Sequence, residues 1–588
     1  MKEVIKLGNP LEQPQIGMDW VPPYWKFQPG DENRFWINDS THNPRPAMPL
    51  DLDTIRAACT LNLGWAAANT SVPKAYGNAY RTLNGRTYIA GTPVTDPEEI
   101  KKRAAIFEQV MVHYLTHWDQ LWGDAFSNIE KGLKWMDSFD YEKDPVPKDP
   151  TQIYKLIEYF DRLTDILFRI EKYHFEFLYI AHCHTARYRA LCKELLSGTT
   201  DADCDEMLQG FGNKLLKTDE AFCKLGELAN SLGLGKIVTG APLEDVIPSL
   251  EKTGNGKEWL KEFRKVVHDW GMRHIGGCVN IGEPSWPEEP IYPISFIRGF
   301  MEKAAKSEKL TPKDMLVEKR EKAIKYFRNR IKTDENRKRF DESLGYMQKI
   351  YAWSEDHNFY IEGIMNTLFH LKMVELGRRL VKEGSFDEPY DIFFLLREEL
   401  RSLLLELAMK TTEVRYYNRM DVRPVIKQRR DDRRKQLEWE FPVALGAKPT
   451  EASRDPQMEM TYGATLDRIE RIRGTVESPE IIKEIKGAPA APGVCEGTAR
   501  VLSEVSELKD VQPGEILVCG GMNPMWNPVF GKIKGVVTDT GGTLSHAGIV
   551  SREYGIPAVV GTMNATKILK TGDRIRVDGW EGIITRIN

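Results

Sequence analysis

The residues best placed to do covalent chemistry lie near the C-terminus, in GVVTDTGGTLSHAGIVSREYGIPAVVGT at 535–562. The segment reads as strand, glycine turn, helix and strand. Ser545 is placed to cap the helix and Gly555 to end it, which puts His546 in the first turn. There the positive end of the helix dipole favours neutral imidazole, the nucleophilic form, and the N–H groups of the turn can bind a phosphate that the ring has acquired. Gly541 and Gly542 let the backbone approach a polyphosphate where a side chain would stand in the way. With Thr543 and Ser545 they are the expected phosphate-binding loop. The chemistry these residues suggest is phosphoryl transfer through a covalent intermediate on His546. From the residues taken singly, a structural histidine in a cap region is the competing reading.

The wider context favours the covalent reading. The segment closely resembles the active-histidine signature of the swivelling phosphohistidine domain found in the PEP-utilising enzymes, among them pyruvate phosphate dikinase, phosphoenolpyruvate synthase and rifampicin phosphotransferase. The likeness includes the trailing REYGIPAVVGT and extends over the domain: GAPAAPGVCEGTARVL at 487–502 resembles its opening strand and turn, and PGEILVCGGMNPMWNPVF at 513–530 its middle. One departure is visible. Where the dikinases have Thr immediately before Ser/Cys–His, this chain has Leu544, as expected of rifampicin phosphotransferase-like members, and this loosens any link to dikinase acceptor chemistry.

A swivelling histidine needs a donor and an acceptor. The sequence stops at Asn588 without the phosphoenolpyruvate-binding barrel that follows this domain in dikinases, so phosphoenolpyruvate is not the expected donor. Residues 1–480 show no Gly-rich nucleotide loop and no ATP-grasp pattern, so ATP, with Mg2+, is expected on a separate ATP-grasp subunit. Upstream, RKVVHDWGMRHIGGCVNIGEPSWPEEP at 264–290 and EPYDIFFLLREEL at 388–400 resemble rifampicin phosphotransferase-like substrate domains. FWINDSTHNPRPAMPLD at 35–51 resembles the N-terminal segment of phenylphosphate synthase and its relatives, and the size and missing module resemble that enzyme's phosphohistidine subunit. The resemblance implies that ATP phosphorylates the histidine with release of AMP and phosphate, and that the histidine then phosphorylates a phenol or related small aromatic alcohol.

A phenol with a pKa near ~10 is a weak nucleophile at neutral pH, so the acceptor half-reaction calls for a base and for cationic stabilisation of the moving phosphoryl group. In WSEDHNFYIE at 353–362, His357 is the candidate proton acceptor, with Glu355 and Asp356 beside it. In the WGMRHIGG region, Arg273 is the candidate phosphate partner, Glu283 a candidate to orient phosphate or hold magnesium, and His268 and His274 further candidates. Each has a structural alternative, a satisfied polar cluster or an ion pair. His182–Cys183–His184 and the i,i+4 pair His113/His117 invite a metal reading, but no carboxylate completes an HExxH pattern and no third ligand can be named, so no metal site is assigned. The 14 tryptophans and 21 tyrosines could line an aromatic pocket but more often fill cores.

These residues need a scaffold of several domains. At 588 residues the chain exceeds one hydrophobic core. The expected architecture is multidomain, α plus α/β: an irregular N-terminal region at 1–96, rich in Pro, Trp, Asn and Gly with a β-like RTYIAG at 86–91; a helical substrate-binding domain at 97–442; a linker at 443–486; and a compact β/α swivelling domain at 487–588. The basic run at 429–435 reads as a solvated helical face. Ten extended linker residues would span roughly 33 Å, enough for domain travel.

Bulk composition narrows the class. Hydrophobic residues at 41% and charged residues at 29% describe a folded, soluble protein. A net charge of -4 offers no field for nucleic acid or anionic membrane, so neither is an expected partner. Eight cysteines without a CxxC pair argue against a disulfide framework or zinc ribbon, and the absence of a signal-like or spanning segment leads to a cytoplasmic expectation. The rival functions are a phosphotransferase for an antibiotic or another alcohol, a non-catalytic phosphocarrier, and, last, a metal hydrolase.

Overall fold

The computed structural model describes residues 7–142, 150–212, 214–274, 279–305, 313–410, 421–449, 455–464, 469 and 483–587. It divides into two compact units: residues 1–180, 276–283 and 361–449 form the first, and 181–275, 284–360 and 450–588 the second. This division differs from the one expected, because the single helical domain foreseen at 97–442 is shared between both units. Helical periodicity reports which face of a helix is buried but not against which neighbour, so it carries no signal for such a partition.

The first unit is built from helices and a small antiparallel sheet. Strands β1 (Phe35–Asn38), β2 (Ala75–Leu83), β3 (Arg86–Pro93) and β4 (Ala444–Gly446) are ordered β2-β3-β1-β4. The β2–β3 hairpin turns on Asn84–Gly85, both with positive φ (50° and 73°), the pairing a tight two-residue hairpin requires. β4 lies in the segment expected to be linker; Leu445 pairs with Trp36 there. A helix runs over Pro49–Thr70 with a π-helical turn at Leu52–Arg56, in a region whose sequence shows no helical period. Its Ala-rich AACTLNLGWAAANT is apolar around most of the cylinder, which erases the amphipathic stripe. The helical region expected from residue 97 opens with two helices: Pro97–Thr116, capped by the Asp96 side chain on Glu98 N, and Trp118–Asp137.

The second unit joins helices, among them Lys214–Ser231, Gly254–Trp270, Ile291–Ala305 and Asp334–Asn358, to an eight-stranded sheet. Its strands are β5 (Glu484–Lys486), β6 (Ala488–Ala491), β7 (Val494–Leu502), β8 (Ile516–Cys519), β9 (Gly535–Thr538), β10 (Ala558–Val560), β11 (Arg574–Asp578) and β12 (Ile583–Arg586), in the order β5-β12-β11-β7-β8-β9-β10-β6. The central ladders β7–β8–β9–β10 are parallel and the flanking ones antiparallel. The β-rich runs expected after 487 thus form strands, and HAGIVSREY forms a helix, His546–Tyr554, ended by Gly555 in the left-handed region.

The sheet domain does not have its core to itself. Phe222, Trp259, Phe263, Ile297 and Met301 of the helices join Leu517, Trp526, Phe530, Val550 and Tyr554 in one apolar cluster. Most of the rest of the expected linker lies outside the described residues; Pro456–Met460 forms a short helix within this unit. Among the described residues no helix is long and apolar enough to cross a membrane. Cys59, Cys183, Cys192, Cys204, Cys223, Cys495 and Cys519 are free thiols, and Cys278 lies outside the described residues.

Candidate functional site

The β9 strand delivers the chain into the glycine loop at the carboxyl end of the parallel strands, where open α/β sheets bind ligands. Thr540 N and Oγ1 both donate to Gly520 O (2.9 and 2.8 Å), tying the loop to the end of β8. Gly541 has φ of +101°, a conformation that L side chains rarely adopt. Gly542 is needed for closeness: a Cβ there would stand 2.2 Å from the Met460 carbonyl oxygen. The loop is latched by Gly542 N donating to Thr461 O (3.0 Å) and Leu544 N to Met460 O (3.2 Å). Ser545 is the N-cap in extended geometry, without a side-chain cap bond, and its own N–H donates to Gly542 O. We expect Gly542→Ala to push the loop off the 456–461 segment and to cut His546 phosphorylation by ~10²-fold, measured as initial rate, because misplacement by about an ångström is enough for such a loss. An unchanged rate would mean that the latch does not position the histidine.

His546 opens its helix and is partly exposed, while Ala547 to Tyr554 are buried. Helix geometry leaves the first-turn N–H groups without intrahelical acceptors, which suits them to bind an anion. Nε2 contacts Asn527 Oδ1 at 2.5 Å, from the turn that follows β8. The helix is pinned from beneath. Arg552, 0% exposed, pairs with Asp205 (3.2 Å), donates to Ala490 O and reaches the Tyr351 hydroxyl (3.2 Å). Tyr554 donates to Asp219, which holds its hydroxyl protonated by burial and by the neighbouring carboxylate.

A second arginine reaches the loop itself. Arg189, buried on the helix Pro150–Leu195, takes Asp205 in a two-point grip (2.7 and 2.9 Å) and donates to Thr543 Oγ1 (2.9 Å). A guanidinium beside such a loop is the kind of cationic group that can partner a phosphoryl group.

Arg189, Asp205 and Asn527 were not singled out by sequence reasoning. Asn527 lay inside the quoted GGMNPMWNPVF, as a polar residue in an apolar turn; Arg189, in HTARYRAL, is one of many helical arginines and carried no such signal.

Of the expected residues, the structure gathers His546, Gly541, Gly542, Thr543 and Ser545 in one loop and spreads the rest. Arg273 is buried with its guanidinium 5.2 Å over the Trp286 ring, close enough to Tyr554 to act on it electrostatically. His274 is buried and bridges to Ser285, and His268 is exposed beside Asp269. Asp356 accepts from Lys214 N (2.7 Å), a structural role; the Glu355 side chain lies outside what is described.

His357 is buried, stacked on Trp353 at 3.9 Å and 4°, and burial pushes its ring down to about 3, with His182 adding repulsion. So weak and enclosed a base is poorly suited to take a proton from an acceptor. Glu283 belongs to the first unit, and its two oxygens are held by Arg45 (2.8 Å) and Arg433. A magnesium ion there would face two guanidiniums, so the expected metal role does not fit and no step is derived through it. No group of three His, Cys, Asp or Glu suited to a metal occurs among the described residues, and the His113 and His117 rings, 5.0 Å apart, are exposed. The basic run is only partly solvated: Arg429 is buried and grips Glu399 at 2.6 and 2.8 Å.

Two family models match this arrangement: "PEP-utilising enzyme, mobile domain" over residues 511–582, and "Rifampicin phosphotransferase fourth domain" over 177–355. The chain thus carries the mobile domain of the PEP-utilising enzymes, joined to a domain of the rifampicin phosphotransferase type. It is 28% identical to the "Uncharacterized phosphotransferase YvkC" of Bacillus subtilis (strain 168) over 74% of this chain and 49% of that protein. It is 28% identical to the rifampicin phosphotransferase of Streptomyces sviceus over 59% of this chain and 37% of that one. Over 109 residues, 18% of this chain and 13% of the relative, it is 48% identical to a probable phosphoenolpyruvate synthase of Pyrococcus horikoshii. The chain spans no more than about half the length of these relatives.

Proposed function

We propose that the chain is the phosphohistidine-carrying, acceptor-binding part of an ATP-driven phosphotransferase. The observation that carries this reading is His546 at the head of a buried helix, on a glycine loop, with a buried arginine at the same loop. In the first half-reaction the Nε2 lone pair attacks the β-phosphorus of ATP held by a separate ATP-grasp subunit; a P–N bond forms and the P–O bond to AMP breaks, and water then cleaves the β–γ P–O bond, so that AMP and phosphate leave and one phosphoryl group stays on His546. In the second, the oxygen of a phenol attacks the same phosphorus, the P–N electron pair returns to the ring, and phenylphosphate leaves. The match to a rifampicin phosphotransferase domain supports a second reading, with a larger alcohol as acceptor.

The reading is tested by loading the chain with phosphoramidate, a small donor that phosphorylates imidazole without any partner protein, and mapping the phosphate by mass spectrometry. Phosphate on His546 that is discharged to added phenol supports the proposal. Discharge to larger alcohols but not to phenol favours the second reading, and phosphate that no hydroxyl compound removes favours a carrier. Absence of label on His546 overturns all three.

Asn527 offers a finer check. An amide oxygen can only accept, so the contact is a hydrogen bond in the Nε2–H tautomer, and for attack the amide must turn its NH2 toward the ring or withdraw. A carboxylate cannot offer a donor by turning. Asn527→Asp is therefore expected to slow loading by ~10²-fold and Asn527→Ala by much less. Equal rates in the two variants would refute this account of the tautomer.

A further inference from the structure

The second unit holds a cavity that the phosphate loop does not use. Its volume is about 550 Å³, it is partly open to solvent, and its walls come from residues 196–207 and 319–330, all within this unit. One wall is a single face of the helix Lys313–Arg330: Lys319, Lys322, Ala323, Tyr326, Phe327 and Arg330 follow the i, i+3, i+4, i+7 spacing that gathers side chains into one stripe. The other wall is the turn after the helix Pro150–Leu195, together with the helix Asp201–Glu206 and Met207.

The lining is divided by depth. Its buried part is apolar: Met207 and Phe327 are 1% and 4% exposed, and Phe327 stacks on Phe340 with ring centroids 4.9 Å apart. Its exposed part is cationic and aromatic: Lys319, Lys322 and Arg330 stand with Tyr326, and the Arg330 guanidinium lies 4.4 Å from the centre of the Tyr326 ring. The two carboxyls of the lining do little to cancel these cations. Asp203 is spent on its own helix, accepting from Thr200 N and Oγ1 at 2.7 Å each. Glu206 is half-buried; burial pushes its carboxyl up, Lys319 offsets this only in part, and Asp203 adds repulsion. Lys322 pairs with Glu318, but both are exposed and such a pair contributes little. Neither Lys319 nor Arg330 has a carboxylate in ion-pair contact among the described residues.

An apolar recess with cations at its mouth selects among small molecules. Inorganic phosphate would leave the apolar surface wet, a neutral ring would leave the cations unanswered, and an amine would meet three like charges. A flat ring that carries an anionic group satisfies both parts, with the ring against Met207, Phe327 and Tyr326 and the anion at Lys319 and Arg330.

We propose that this cavity binds a small aromatic anion, an aryl carboxylate or an aryl phosphate, at a site separate from the phosphate loop. The helix Asp201–Glu206 stands between the two: Asp203 and Glu206 line the cavity, whereas Asp205, turned from them by roughly 200° and 100°, holds Arg189 and Arg552.

The test is a titration of the full chain with 4-fluorobenzoate and with 4-fluorophenyl phosphate, followed by 19F line broadening. It needs no phosphate on His546, so its result is independent of the function proposed above. Broadening of either compound is expected, and the tighter binder identifies the preferred anion. Lys319→Glu and Arg330→Glu, both at exposed positions, are each expected to weaken binding by ~10-fold, and Ala323→Trp to abolish it by filling the cavity; thermal melts confirm that the variants fold. Undiminished binding in folded Ala323→Trp, or in both charge reversals, overturns the site. Equal binding of 4-fluorobenzylamine overturns the ligand class. Binding that vanishes in His546→Ala would place the ligand at the loop and overturn the separation, and no broadening by either anion in the wild type overturns the proposal outright.

Discussion

His546→Ala is expected to abolish covalent phosphorylation, a loss of more than ~10³-fold in labelled protein, while changing stability by less than ~1 kcal/mol. The reason for the size is that, among the described residues, the groups near the loop are engaged or unsuited, Asp539 accepting from Thr562 and Thr566. Cys519, at the end of β8, is buried and its thiol is pushed up by desolvation and by Asp539, so it holds no thiolate at neutral pH. Thr543 and Ser545 are hydroxyls without a base shown beside them. The reason for the small stability change is that His546 is the one residue of its helix left partly exposed, its packing supplied by Ala547, Val550 and Tyr554. Acid-labile, base-stable phosphate in the wild type and none in the variant, read by peptide mapping, is the expected pair of results. Equal labelling in both would place the phosphate elsewhere and remove the basis for the proposed function.

Asp205→Asn is expected to have the largest effect on stability, ~3–5 kcal/mol, together with loss of loading. Asp205 is 2% exposed and stands between two buried guanidiniums, Arg189 at 2.7 Å and Arg552 at 3.2 Å. Asn keeps the shape and removes the charge, so two buried cations lose their shared counter-ion. Arg189 keeps a second, half-solvated carboxylate, Asp201, only at 3.8 Å. The functional loss follows from the same geometry, because Asp205 fixes the guanidinium that reaches Thr543. Urea unfolding with a probe in the second unit checks the first part, and phosphoramidate loading below the transition checks the second. Asp201→Asn is the control, at about 1 kcal/mol for a half-solvated pair; similar losses in both variants would show that Asp205 has no special place.

Asp205 also bears on movement. Swivelling of residues 487–588 by themselves would break Arg552–Asp205 and Tyr554–Asp219 and open the apolar cluster shared with the helices. At ~25 cal/mol per Å² of apolar surface, such an opening has a substantial cost, so any travel of the phosphohistidine must recover it elsewhere, through new contacts or through a partner that replaces the helices.

The sequence by itself determined the loop and its helix. A glycine pair, a serine at the N-cap position, a histidine and a helix-ending glycine act over fewer than twenty residues, and local backbone sterics favour the turn, the helix start and the helix end there, to which the 456–461 segment adds its latch. The same holds for the β-branched runs of the sheet and for Asn84–Gly85 in its hairpin. Tertiary structure alone decided which helices share a core with that loop, why Arg189 rather than Arg273 reaches it, that Glu283 is occupied by arginines, and that His357 is sealed against Trp353. A helical sequence specifies an apolar face but not the neighbour it meets, and a buried ionisable residue announces itself only through partners hundreds of residues away.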